Sequence, residues 1–133
     1  MTSNESDNDT VERSSYQNHL KERTKRFALD IIKLVEKLPK GRTADIVGRQ
    51  LLAAATSVGA NYRAACRARS SPDFISKRGI VEEETDESIY WMELLIDCGL
   101  IQKDDISHLL NDANQILAMT VSSIKTARRR KQR

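Results

Sequence analysis

The side chains that most often do chemistry are scarce in this chain, which has two histidines, His19 and His108, and two cysteines, Cys66 and Cys98. A di-iron site in a helical protein needs two Glu-x-x-His motifs facing inward. Neither histidine has a glutamate three residues before it. A Ser/His/Asp or Cys/His nucleophile would have to draw on the same two histidines, and neither has a spacing that predicts a triad. The cysteines form no CxxC pair and no Cys/His cluster at zinc spacing, so neither a structural zinc nor a disulfide framework is indicated. A phosphate-cradling glycine loop should precede a helix, whereas Gly59 falls inside a helical run. The acidic stretch Glu82, Glu83, Glu84, Asp86 and Glu87 fans over more than half a helix circumference, so at most two or three carboxylates converge. It reads as a solvated face rather than a metal cluster. The expectation is a protein that is not an enzyme and carries no metal and no cofactor.

Positive charge is the stronger lead. The net charge is +3, yet residues 1–12 hold Glu5, Asp7, Asp9 and Glu12 with no base, which leaves +7 on the remainder. Lys21, Arg23, Lys25, Arg26, Lys33, Lys37, Lys40 and Arg42 decorate the first helical segment and its end, interrupted by Glu22, Asp30 and Glu36. Arg63, Arg67, Arg69, Lys77 and Arg78 gather around the second turn, and six bases including Arg128, Arg129, Arg130 and Lys131 close the chain. Such clusters suit phosphate backbones. The sequence has no helix-turn-helix signature, no zinc finger and no aromatic pair on a strand, so readout of base sequence is not expected. The candidate nucleic-acid contacts are Lys21, Lys25, Arg26, Arg63, Arg67, Arg69, Lys77, Arg78, Arg128, Arg129, Arg130 and Lys131, with RNA or DNA as the partner. The rival reading is a scaffold that recruits a protein partner without touching nucleic acid.

The elements that must position these residues are helices. Only two prolines occur, Pro39 and Pro72, and with Gly99 they divide the chain into four helical segments. Leu20, Thr24, Phe27, Ile31, Leu34 and Leu38 follow a four-three spacing in the first segment; Ile106, Leu110, Ala113, Leu117, Thr120, Ile124 and Ala127 do so in the fourth. The second segment gives a seam of mostly small residues, Val47, Leu51, Ala54, Val58, Asn61, Ala65 and Ala68. The third lines up Phe74, Val81, Ser88, Met92 and Leu95, with Glu84 or Thr85 filling its gap. Rods of about 23 to 26 residues, roughly 35 to 39 Å each, with short connections predict an all-α, antiparallel up-down-up-down four-helix bundle. Helix starts are expected at Thr43 with Asp45, at Ser71-Pro72-Asp73 and at Asp104-Asp105. The expected organisation is a disordered acidic segment over 1–14, the bundle over 15–127 and a basic tail over 128–133. The acidic start lacks the features of a secretory signal and no apolar run reaches membrane-spanning length, so a cytoplasmic protein with no membrane partner is expected.

Folding the second and third segments into a hairpin brings Asn61 and Glu84 together inside the bundle. A buried carboxylate needs partners or a proton, so the pair reads as a structural polar lock, with a ligand or catalytic role as the alternative. Tyr62, Tyr90 and Trp91 are candidates for an oligomer interface, because Trp91 beside Tyr90 and Met92 adds more apolar surface than one seam requires.

The run Gly59-Ala60-Asn61-Tyr62-Arg63, then Asp73, Phe74 and Lys77, then Glu84 and Glu87, then Tyr90, Trp91, Leu94 and Leu95 resembles a bacterial family of four-helix-bundle proteins, the large-subunit ribosomal RNA intervening-sequence proteins. The resemblance covers most of residues 20–126 and is specific in segments two and three. Ala64 departs from it, standing where the family has Glu, and the acidic head and basic tail are additional. The resemblance implies an antiparallel bundle, assembly with copies of itself as a ring-shaped pentamer, and no enzymatic activity. A related branch consists of accessory factors to the reverse transcriptases of diversity-generating retroelements, which bind nucleic acid through a basic surface. A reverse transcriptase or a ribosomal component is therefore an implied partner.

Overall fold

The computed structural model describes residues 3–132, with side chains described for 11, 12, 15–122, 124–126, 128 and 129. Four helices account for nearly all of it: α1 (Ser3–Glu36), α2 (Arg42–Cys66), α3 (Ser71–Asp97) and α4 (Lys103–Gln132). Helices consecutive in sequence pack together and α4 returns to α1, while the backbones of the diagonal pairs α1/α3 and α2/α4 do not approach closely among the described residues. This is the antiparallel up-down-up-down bundle that the periodicity predicts. The helix axis does not break at the expected boundaries of residues 14 and 127, since α1 begins at Ser3 and α4 continues to Gln132.

Each turn has a local cause. The Ser70 hydroxyl accepts from the Asp73 amide at 3.3 Å and caps α3, with Pro72 in the first turn, where a missing N–H costs nothing. That cap lies one residue before the expected start. Helix α2 opens from Gly41, whose carbonyl accepts from the Asp45 amide at 3.0 Å, so Thr43 lies inside the first turn rather than at its cap. At the far end of α3, Gly99 takes φ +82°, a left-handed conformation that glycine adopts without steric cost. The Gly99 amide donates to Ile96 O and the Leu100 amide to Leu95 O, both at 3.0 Å, which satisfies carbonyls the ending helix would otherwise leave bare. Asp104 and Asp105 occupy the first turn of α4, where the helix dipole favours them.

The core follows the predicted stripes but is wider. Leu20, Thr24, Phe27 and Ile31 of α1 are buried, as are Ile106, Ala113, Thr120 and Ile124 of α4. Leu109 and Ile116 join them, because each helix faces two neighbours and buries two adjacent rows. In α2 a second four-three row, Ala44, Gly48, Leu51, Ala55, Val58, Tyr62 and Ala65, is buried throughout. Gly48 lets the end of α1 and the turn after it close in, since a Cβ there would stand 3.4 Å from Val35 Cγ1 and 3.1 Å from Leu38 Cδ1. Burying each large side chain such as Phe27 or Leu51 contributes about 1.5 to 3 kcal/mol.

Thr85, not Glu84, fills the gap in the α3 seam. The buried threonines and serine of the core bond to their own helices: Thr24 Oγ1 donates to Lys21 O at 3.1 Å, Thr85 to Val81 O at 2.6 Å, Ser88 to Glu84 O at 2.8 Å and Thr120 to Ile116 O at 2.8 Å. No buried hydroxyl among these four asks anything of a neighbouring helix.

Candidate nucleic-acid interface

Arg78 sits where α2 and α3 meet at the turn between them, and it is 2% exposed. Its guanidinium carbon lies 4.5 Å from the Tyr62 ring centroid and 5.3 Å from that of Phe74, two cation–π contacts on one planar group. Burial lowers the Arg78 pKa, opposed by the Tyr62 and Cys66 groups beside it. Burial also raises the Tyr62 phenol well above its ordinary value; the Cys66 thiol adds to the shift and the Arg78 charge opposes it. Two sequence expectations are corrected here. Arg78 is a core residue without surface for a phosphate, and Tyr62, fully buried within its own chain, has none for an oligomer contact. The spacing carried the missed signal: Phe74, Arg78, Val81, Thr85, Ser88, Met92 and Leu95 form an unbroken four-three row once a charged residue is admitted to it.

The other bases of this end face outward. Arg63, Arg67 and Arg69 are exposed and Lys77 is half-buried. On α1, Lys25 and Arg26 are exposed and Lys21 is half-buried. Thr24 faces Gly59 across the α1/α2 contact, so one turn further along Lys21 and Arg63 share a level. Lys25, Arg26, Arg63, Arg67 and Arg69 have no carboxylate partner among the described residues. Arg23 differs, donating to Gln115 Oε1 at 2.6 Å and lying 3.9 Å from Asp112, which ties α1 to α4. Beside that tie runs a groove of about 500 Å³, with His19, Glu22, Lys25, Arg26 and Leu29 on its walls. Arg128 and Arg129 are exposed near the end of α4, while the side chains of Arg130 and Lys131 lie outside the described residues.

The opposite side of the bundle is acidic. From Gly79 to Asp97, α3 carries Glu82, Glu83, Glu84, Asp86, Glu87, Glu93 and Asp97 and no base. Burial raises the Glu84 pKa, and Glu87 and Glu83 add to it. The Asn61 amide does not reach across to Glu84; it donates to Ser57 O of its own helix at 2.9 Å, and Asn61 is only part-buried. The described contacts therefore do not make the expected lock. Tyr90 is 54% exposed and stands edge-on to the half-buried Trp91 at 5.0 Å, whose Nε1 donates to Glu87 at 3.1 Å. His108 is exposed at the other end of the bundle, far in sequence from His19, and among the described residues no group of three His, Cys, Asp or Glu side chains is placed to hold a metal ion. No described helix is long and apolar enough to cross a membrane.

A family model described as the 23S rRNA-intervening sequence protein matches residues 17–122. The chain belongs to this family. A 1.70 Å crystal structure of a protein of unknown function from the S23 ribosomal protein family of Bacteroides thetaiotaomicron is 35% identical to it with a TM-score of 0.77, covering 82% of this chain and 97% of that one. No curated protein matches the chain. Both similarities are to proteins named for ribosomes or ribosomal RNA rather than for a reaction, and the 23S rRNA-intervening sequence match takes in the α2–α3 hairpin with its buried arginine. The match leaves out the acidic start of α1 and the basic end of α4.

Proposed function

We propose that this member of the 23S rRNA-intervening sequence protein family is a non-enzymatic RNA-associated protein that holds phosphate backbones on its α1 and α2–α3 surface, without reading base sequence. The observation that supports this most is the set of five exposed cations, Lys25, Arg26, Arg63, Arg67 and Arg69, with no carboxylate partner among the described residues. Unpaired surface cations release phosphate counterions on binding, which is the dominant source of sequence-independent affinity. The acidic stretch of α3, residues 82–97, lies diagonally across the bundle from α1 and repels a phosphate chain, which leaves α1 and the α2–α3 turn as the side open to a backbone.

The chain acts as a homo-oligomer in this reading, with a pentamer as the family-guided number. Tyr90 and Trp91 are the residues of the sequence-expected interface that retain exposed surface, and repetition around a ring multiplies the phosphate contacts. Light scattering returning a 15.1 kDa monomer at micromolar concentration contradicts that assembly.

Filter binding of labelled RNA and DNA of several sequences tests the binding. All should be retained with similar affinity, and Arg63→Ala/Arg67→Ala/Arg69→Ala should weaken all alike. Retention of a protein partner after nuclease treatment, with no oligonucleotide bound, would instead establish the scaffold.

A further inference from the structure

Helices α1 and α4 pack less closely than any other neighbouring pair. Towards the α3–α4 turn the seam between them opens into a groove of about 610 Å³. Its apolar lining includes the half-buried Leu34, Leu38, Leu100 and Ile101. Its α1 lip carries Lys33 and Lys37, both exposed and without a carboxylate partner among the described residues. The rest of its charge is mixed, with Asp30, Asp105 and His108, so the cationic part of the groove is the α1 lip.

The outer side of the α2–α3 pair has the opposite character. Ile46, 55% exposed, stands roughly half a turn round α2 from Gly48, which faces α1, and so on the side away from α1. On α3 the exposed Tyr90 meets Trp91, which is half-buried like Leu94 one turn further on. The exposed carboxylates Glu87 and Asp97 flank this apolar ridge, Glu87 accepting from Trp91 Nε1 at 3.1 Å. Ridge and groove also share a level along the bundle. Thirteen residues on from Arg78 is Trp91, and thirteen back from its partner Tyr62 is Arg49, within a turn of Ile46. Ten residues back from Gly59 is Arg49, and ten on from the facing Thr24 is Leu34, in the lining of the groove.

We propose that the ridge of Ile46, Tyr90, Trp91 and Leu94 docks in the α1–α4 groove of a second copy of the chain, so that each copy gives its ridge to one neighbour and its groove to another. This rests on the reading of the chain as a homo-oligomer and names the two surfaces that join it. Apolar side chains meet an apolar lining, and Glu87 and Asp97 meet the Lys33 and Lys37 lip. A two-fold pairing of ridge with ridge would instead set these carboxylates against their own counterparts. Because ridge and groove share a level, one copy joins the next without climbing along the bundle axis, as a closed ring requires. The groove lies at the end away from Arg63, Arg67 and Arg69, so assembly leaves those cations open to phosphate.

Two variants of the full-length chain each disable one surface: Ile46→Lys with Tyr90→Lys on the ridge, and Lys33→Glu with Lys37→Glu on the groove lip. All four positions are exposed, so both variants should keep the helical circular dichroism and the urea midpoint of the parent. In size-exclusion chromatography with light scattering at micromolar concentration the parent should assemble, while each variant alone, its association weakened about tenfold or more, should run as a 15.1 kDa monomer. Mixed in equal amounts, the two should form a two-chain species and nothing larger, because the intact ridge of one fits the intact groove of the other and no second pair of surfaces remains. Adding Glu87→Lys and Asp97→Lys to the groove variant should restore assembly, since opposite charges then meet again. A groove variant that assembles like the parent, a mixture of folded variants that stays monomeric, or a charge exchange that restores nothing overturns the ridge-and-groove contact and leaves the homo-oligomer standing. A parent that is itself monomeric overturns both.

Discussion

Arg78 and the trio Arg63, Arg67 and Arg69 lie at the same end of the bundle and carry the same charge, yet their surroundings are opposite. Arg78 is closed between Tyr62 and Phe74, while the other three project into solvent with no acid beside them among the described residues. In the core, the guanidinium lies against two rings and carries a long apolar stem, so its worth is in packing. On the surface the same group is a free charge whose worth depends on what arrives from outside. The comparison teaches that a count of basic residues near a turn overstates its binding capacity, because the helix row decides which arginines can meet a phosphate.

Removing the buried arginine should have the largest effect on stability. Arg78→Ala leaves two ring faces without a partner and a cavity between helices, and urea denaturation should show a loss of about 2 to 4 kcal/mol. Arg78→Lys keeps the charge but not the planar group, and should still cost about 1 to 2 kcal/mol. If either variant melts like the parent, the stacked arrangement contributes nothing.

The surface trio should behave in the reverse way. Replacing Arg63, Arg67 and Arg69 together by Ala should leave stability within about 0.5 kcal/mol of the parent. RNA affinity should fall about tenfold or more at low salt, and the dependence of log affinity on log salt should flatten by about 2, close to 0.7 for each phosphate of a single strand that is no longer neutralised. A stability loss as large as that of Arg78→Ala would erase the distinction between the two sets.

On the acidic side the effects are smaller. Glu84 has a folded pKa above its unfolded value, so the native state binds a proton more readily than the unfolded one. Stability should therefore rise as pH falls through the raised pKa and be lower above it. Glu84→Gln should remove that pH dependence and stabilise the neutral-pH protein by a few tenths of a kcal/mol, a modest amount because the side chain keeps solvent contact. Because Asn61 bonds to Ser57 O rather than to Glu84, Asn61→Ala and Glu84→Gln should be additive in urea melts. A coupling well above about 0.5 kcal/mol would restore the lock that the hairpin alignment suggests.

Much of the fold is legible in the sequence because apolar spacing, two prolines and Gly99 all point to the same four rods. Leu20, Phe27 and Ile31, or Ile106 and Ala113, are assigned to the core by spacing alone, and the structure buries them. Tyr62 is harder. A row drawn through Val58 and Asn61 competes with one through Val58 and Tyr62, and only a helix with neighbours on both sides buries the second. Arg78 is harder still, since charge argues for solvent and its exclusion depends on two rings, one from each helix of the hairpin. Asn61 escapes for a related reason: an amide can satisfy itself on the preceding turn of its own helix, and that choice leaves no trace in sequence spacing.

If exposed, unpaired cations hold a phosphate backbone, a salt series of fluorescence anisotropy with a labelled single-stranded RNA reads it out. With Lys25, Arg26, Arg63, Arg67 and Arg69 engaged, log affinity should fall against log salt with a slope of about −3 or steeper, unchanged between RNA sequences. A slope near zero, affinity that depends on base sequence, or an absence of binding at about 50 mM salt would contradict the account.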